Sequence, residues 1–314
     1  MKTLKPITVL TLIAVAAPGF LSAKPFTREI IREFDSGSIQ KVDLQAQSAN
    51  VGISSWDRDK VVVDVELTAN ASDQAEADEI FDEAEVSITE NAGVLEVVVK
   101  TKSKSGSMFG IFGGSNSSRA NITVNVPENM DLHLKNGSGN VAIDDITGVL
   151  VFTSGSGNVS GSNLTGDVKA KSGSGDINLV AVQGNIIVGT GSGSVKVSDM
   201  EGSLDAATGS GDVKANGQIS QFTAKTGSGS VRIESSVELV DDSKAATGSG
   251  DVKILLPASA GFELDAGVGS GSISCDFDLV DPVAKKRSLK GATANGGPSL
   301  KIGTGSGSIR VGHN

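Results

Sequence analysis

The chain has 314 residues and carries 27 basic against 37 acidic side chains, a net charge of −10, which argues against an extended nucleic-acid-binding surface and predicts no nucleic-acid partner. One cysteine, Cys275, excludes an intramolecular disulfide. Two histidines, one tryptophan and no tyrosine beside 40 glycines leave little material for metal centres, acid–base sites or sugar-stacking platforms.

Lys2 and Lys5 precede an apolar run of 11 residues, Ile7 to Ala17, which Pro18 and Gly19 break before a small-residue stretch ending at Ala23. That order predicts a secretory signal peptide over residues 1–23, with the mature chain starting at Lys24. The run is too short to span a bilayer core, and no later stretch is long and apolar enough to do so. Removing Lys2 and Lys5 takes the basic side chains from 27 to 25 against 37 acidic ones, or −12. The expected location is outside the cytoplasm, periplasmic or at the cell surface, with no transmembrane span after cleavage.

Residues 24–134 are expected to form a β-rich N-terminal cap with one helix. Alternation is clearest from Val61 to Leu67. Ser72 then reads as the N-cap of a helix with Ala77, Ile80, Phe81 and Ala84 on one side and Asp73 and Glu76 in its first turn. Strands are predicted over Val86–Thr89 and Val94–Lys100. The insert Lys102–Ser118 is rich in Gly and Ser yet carries Met108, Phe109, Ile111 and Phe112. Such flanks cannot fix a packed strand. The four apolar residues therefore read as an interaction loop or as a cover folded back over a strand edge. Residues 119–134 lead through Pro127 into the repeats.

Gly-Ser-Gly, a polar residue, then Val or Ile starts at Gly137, Gly155, Gly173, Gly191, Gly209 and Gly227, 18 residues apart every time. It recurs at Gly248 and Gly269, each 21 residues on, and at Gly305 after a gap of 36. Apolar residues alternate after the tripeptide, as in Ile177 and Leu179 or Val195 and Val197, and a second glycine follows at Gly148, Gly166, Gly184 and Gly202. Short strands with one buried face, joined by glycine turns, cannot bury that face alone and must stack. The fold class is thus all-β: a β-solenoid (single-stranded β-helix-like) over residues 135–314, with successive repeats as neighbours and one short N-terminal helix before it. Val213 is expected to point inward and Lys214 outward. Cys275, two residues after Ile273, is expected inward and buried. Asp278–Gly297, with Lys285, Lys286 and Arg287, is expected to loop out of the longest interval as a solvated segment.

The position after each Gly-Ser-Gly reads Asn140, Asn158, Asp176, Ser194, Asp212, Ser230, Asp251, Ser272 and Ser308, so no Asp follows an Asp. Lys196, Lys214, Arg232 and Lys253 lie two residues on, and the face compensates itself. Asp occupies only three of the nine copies, so regular calcium sites are not expected, nor any other cofactor. Ser172, Thr190, Thr208, Thr226, Thr247 and Thr304 form a hydroxyl column that either satisfies turn backbone or faces outward as a ladder. Asp144-Asp145 and Asp241-Asp242 are adjacent pairs whose members would point to opposite faces of a strand. They read as turn markers and not as a glycosidase pair.

The segment Ser48 to Asp57, the run Ile122 to Pro127 and the Gly-Ser-Gly-Asp-Val copies resemble the bacterial exported putative-adhesin domain family, over nearly the whole chain from Lys24. The resemblance implies a β-solenoid, association with the cell envelope and no defined active site. The combined expectation is an exported, adhesin-like structural or interaction protein of the envelope, not an enzyme, whose envelope or surface partner is unidentified. The alternatives are a carbohydrate-active solenoid enzyme and a hydroxyl-ladder binder of ice or crystal surfaces.

Overall fold

The computed structural model describes residues 24–101 and 118–314. The chain forms two compact units, one ending at Ile146 and the other running from Thr147 to Asn314. Both are built of β-strands, and among the described residues there is one α-helix.

In the first unit the elements are β1 (Lys24–Asp35), β2 (Lys41–Ala46), β3 (Ala49–Ser55), β4 (Lys60–Ala71), α1 (Gln74–Asp82), β5 (Glu85–Asn91), β6 (Val94–Lys100), β7 (Ser118–Val126), β8 (Asp131–Ser138) and β9 (Val141–Asp144). β2 lies between β6 and β8, and β3 between β7 and β9, all parallel. Val51 and Ile53 pair with Val141 and Ile143, so Ser48 to Ile53 is a coil equivalent to the first Gly-Ser-Gly copy. Parallel coiling of the solenoid kind is thus already present within residues 24–134, read from the sequence as the non-repetitive capping start of the solenoid. Around it β1, β4 and β7 pair antiparallel, as do β5 and β6. Val61, Val63, Val65, Leu67, Ala69 and Ala71 are all buried, the period-2 face read from the sequence.

The helix begins one residue later than expected. Asp73, not Ser72, is the N-cap, and its carboxylate accepts the Glu76 N–H at 3.0 Å. Ser72 instead donates its N–H and its hydroxyl to Glu76 Oε2, both at 2.7 Å. Asp reaches its own N3 amide more readily once the serine is occupied by the carboxylate of that residue. Ala77, Ile80 and Phe81 are buried, and Arg28 of β1 lies 5.0 Å from the Phe81 ring while paired with Asp78 and Asp82.

In the second unit β10 (Thr147–Ser156), β11 (Val159–Ser172), β12 (Ile177–Thr190), β13 (Val195–Thr208) and β14 (Val213–Thr226) stack in parallel at an 18-residue register. β11, β12 and β13 each turn a corner at a left-handed residue: Asn163, Ala181 and Asp199 have φ of 52–53°. Inward side chains form continuous columns, such as Leu150, Val168, Ile186, Leu204 and Phe222, all buried. Full burial of such side chains stabilises by about 1.5–3 kcal/mol each. The longer interval after Gly227 splits the next coil into β15 (Val231–Ser235) and β16 (Ser243–Ser249), and β17 (Val252–Leu256) follows.

The last coils do not stack in sequence order. β18 (Glu263–Ser270) and β19 (Ile273–Cys275) are followed by β20 (Leu279–Lys285) and β21 (Ser288–Thr293), and then by β22 (Ser299–Ser306) and β23 (Ile309–His313). β22 slots between β16 and β18, and β23 between β17 and β19. The Gly305 copy thus lies between those of Gly248 and Gly269. The segment expected to loop out is instead a β-hairpin. Its strand β21 pairs antiparallel with the outer edge of β18, and β20 pairs with β21. This arrangement pairs both edges of β18, the last strand of its stack, whereas a stack in sequence order would end on β22 with an open edge.

The Gly-Ser-Gly turns follow the same order, and the glycines are there for steric reasons. A Cβ on Gly211 would lie under 3.0 Å from the carbonyl of Gly193 in the coil below, and one on Gly209 would meet Gly191 in the same way. The serine between them is exposed in every copy.

Candidate interaction surface

The hydroxyl column points inward. Thr190, Thr208, Thr226, Thr247 and Thr304 are 6–7% exposed, and each donates Oγ1 to a turn glycine carbonyl at 2.6–2.8 Å. Ser172 does the same to Gly157 at 3.0 Å. Oγ of Ser172 and Oγ1 of Thr190 and Thr208 also accept the N–H of Gly175, Gly193 and Gly211. These hydroxyls replace the backbone partners that the tight turn cannot offer. A hydroxyl-ladder surface for ice or crystals has no basis in this column.

The outer columns are also engaged. Asp176, Asp212 and Asp251 accept the N–H of Ser194, Ser230 and Ser308 in the adjoining coil at 2.7–2.9 Å. The Ser230 N–H, then Lys214 at 2.9 Å, hold the Asp212 carboxyl below its ordinary range. Lys196, Lys214, Arg232, Lys253 and Arg310 lie in direct register across β13, β14, β15, β17 and β23. Of these, Lys214, Arg232 and Arg310 pair with Asp212, Glu234 and Asp276 at 2.9–3.1 Å. The face compensates itself, as the sequence suggested. Asp145 sits at φ 62°, and Asp242 Oδ1 accepts the Ser299 N–H, so the adjacent acid pairs serve turns.

The terminal hairpin differs from all of this. Val280 and Val283 of β20 are 52% and 53% exposed, and a bulge separates them where Asp281 takes φ 46°. Exposure continues through Pro282, Ala284 and the tip, Lys285, Lys286 and Arg287. Beside the hairpin, a groove of about 460 Å³ is lined by residues including Glu263, Asp265, Lys290, Ser299 and Lys301, with Lys290 paired to Asp265 at 2.8 Å.

The sequence profile of the Toastrack DUF4097 family matches residues 39–312. The chain belongs to this Toastrack family. The match takes in both the coil at Ser48 to Ile53 and the out-of-order last copy. No curated protein matches the chain. Among solved structures, the chain is similar to one described as a putative lipid binding protein from Parabacteroides distasonis, at 15% identity and a TM-score of 0.42, covering 90% of this chain and 96% of that one. It is also similar to a putative adhesin from Bacteroides fragilis, at 13% identity and 0.38 over 90% and 96%. A putative cell adhesion protein from Clostridium sporogenes has 13% identity and a TM-score of 0.24 over 93% and 100%.

Of the site residues expected in this Toastrack chain, Met108, Phe109, Ile111 and Phe112 lie outside the described residues, between β6 and β7. The structure brings together a pair that the sequence did not suggest: His133 Nδ1 and Asp43 Oδ2 are 2.9 Å apart on neighbouring strands β8 and β2. Burial alone would raise the Asp43 carboxyl, but hydrogen bonds from His133 and Gln45 and the charges of His133 and Lys41 outweigh it and hold the group low. His313 packs edge-on to Phe277, with ring centroids 5.7 Å apart. Among the described residues no three His, Cys, Asp or Glu side chains gather where they could hold a metal ion.

Cys275 is half-buried, not buried. β19 pairs only with β23, so the terminal coil has no further coil to cover it. Partial burial, and then the Asp276 charge, still push its thiol up and outweigh the lowering effect of the Phe277 backbone.

Proposed function

We propose that this Toastrack chain is an exported, non-catalytic structural and interaction protein of the cell envelope, adhesin-like in use. Its coils act as a scaffold, and contact with a partner falls to exposed elements at their margins. The observation that carries this reading is the inward turn of the repeat hydroxyls. Thr190, Thr208 and Thr226 spend their hydrogen-bonding capacity on Gly175, Gly193 and Gly211, so the most regular chemistry of the chain maintains its shape. The self-compensated ladder of Lys214, Arg232 and Arg310 supports the same conclusion. Export is supported by the order of charge, apolar run and small residues over 1–23. The insert carrying Met108, Phe109, Ile111 and Phe112 remains a proposed contact, together with the exposed hairpin.

Cross-linking in intact cells, followed by recovery of the protein and mass spectrometry of its N-terminus, tests the reading. The expected result is a chain starting at Lys24 and joined to an envelope component. Recovery of an intact Met1 form from the cytoplasm, joined to cytoplasmic proteins, overturns it.

A further inference from the structure

The β20–β21 hairpin combines features found together nowhere else in the described structure. Lys285-Lys286-Arg287 is the sole run of three consecutive cations in a chain of net charge −10. It occupies the hairpin tip, where all three side chains are exposed, and among the described residues none of them is ion-paired. Their neighbours behave differently: Lys290 and Arg310 are held by Asp265 and Asp276. Directly before the tip, Val280 and Val283 leave about half of their surface in water, with Pro282 and Ala284 also exposed. The hairpin is anchored by antiparallel pairing to β18 and by the Val268 N–H, which donates to the Arg287 carbonyl at 2.9 Å. A fixed tip thus presents cations and aliphatic side chains together.

We propose that this hairpin is a membrane-contacting finger that seats on anionic lipid headgroups. The cations answer the negative surface potential of such a leaflet, and the valines answer the acyl boundary just beneath the headgroups. A soluble polyanion would use the first group and leave the second in water, so the pairing of the two favours a lipid surface. The inference deepens the envelope reading by naming the partner of one exposed element. It rests on that reading only in placing a bilayer within reach, and purified protein tests it wherever cross-linking locates the chain.

The experiment is flotation of the full chain with phosphatidylcholine vesicles, with and without 30% phosphatidylglycerol. Pure phosphatidylcholine reports any binding through the apolar residues 7–17, and the hairpin's share of the excess on phosphatidylglycerol is the part that a chain starting at Lys24 retains, without Lys2 and Lys5. Neutralising the tip with Lys285→Gln, Lys286→Gln and Arg287→Gln should lower that excess on the order of 100-fold, at about fivefold per cation. Val280→Ser with Val283→Ser should lower it about tenfold. Thermal midpoints should be unchanged, because every altered side chain is exposed. An excess that survives neutralisation of the tip overturns the proposal. So does an excess that is indifferent to the valines and is abolished by inorganic polyphosphate, which would mark a soluble-polyanion site. Loss of the excess through self-association at the tip, seen by sedimentation, overturns it in favour of a second copy.

Discussion

Replacing Thr208 by Val keeps the shape of the side chain and removes only its hydroxyl. In the structure that hydroxyl donates to the Gly193 carbonyl at 2.6 Å and accepts the Gly211 N–H at 3.2 Å, at a site only 7% exposed. Valine leaves both turn groups without their partner. A buried polar group stripped of its hydrogen bond costs about 1–3 kcal/mol. Two groups, partly relieved by the added apolar methyl, give a loss of about 2–4 kcal/mol. Thr208→Ser retains the hydroxyl and gives up one methyl, a cost of about 1 kcal/mol. Urea titration followed by circular dichroism should show a lower midpoint at an unchanged slope, larger for Val than for Ser. Hydrogen exchange at the Gly211 amide should quicken in the Val variant alone and would locate the effect in one turn. If Thr208→Val matches the wild type within about half a kcal/mol while Thr208→Ser does not, the hydroxyl is not serving the turn and the outward-ladder reading returns.

Gly211→Ala should destabilise by about 1–3 kcal/mol or more, because its methyl would be driven against the Gly193 carbonyl, whereas Ser210→Ala should stay within about half a kcal/mol; equal thermal midpoints for the two would contradict the turn stacking. Val213→Asp should cost several kcal/mol and Lys214→Ser almost nothing, since the first is fully buried and the second lies on the outer face; a calorimetric loss of the same size in both would mean the strand phase is wrong. Asp212 has a lowered folded pKa, so it contributes stability above its unfolded pKa of about 3.9 and loses that contribution as pH falls through the folded value. The stability gap between wild type and Asp212→Asn should accordingly close below about pH 4, and a gap that widens on acidification would reverse the sign of the argument. Cys275 should react with a thiol reagent at pH 8 measurably but more slowly than free cysteine, as its half-burial and raised pKa reduce the accessible thiolate; a rate equal to that of the free thiol would contradict this placement.

Within a coil, nearly everything was legible from residue order. The 18-residue spacing set the strand phase, so Val213 in, Lys214 out and the Thr column beside Gly-Ser-Gly follow from alternation and turn chemistry, which are local. The interaction surface was less legible. The cation triplet at Lys285 was visible, but nothing local indicated that its segment would form a hairpin, that Val280 and Val283 would be left outside, or that His133 would meet Asp43 across 90 residues. The coil at Ser48 to Ile53 was missed as a repeat because Gln47 and Ala49 stand where other copies carry glycine. Coil order was decided only by the tertiary structure. β18, β22 and β16 present the same alternating face and the same Gly-Ser-Gly turn, so local sequence pairs each with any of the others equally well. What places β22 between β16 and β18 is the competition for open strand edges: the β20–β21 hairpin takes the outer edge of β18 and leaves its inner edge to the returning chain. Cys275 became half-buried for the same reason, since burial at a terminal coil depends on whether another coil exists to cover it, and no residue pattern within the strand encodes that.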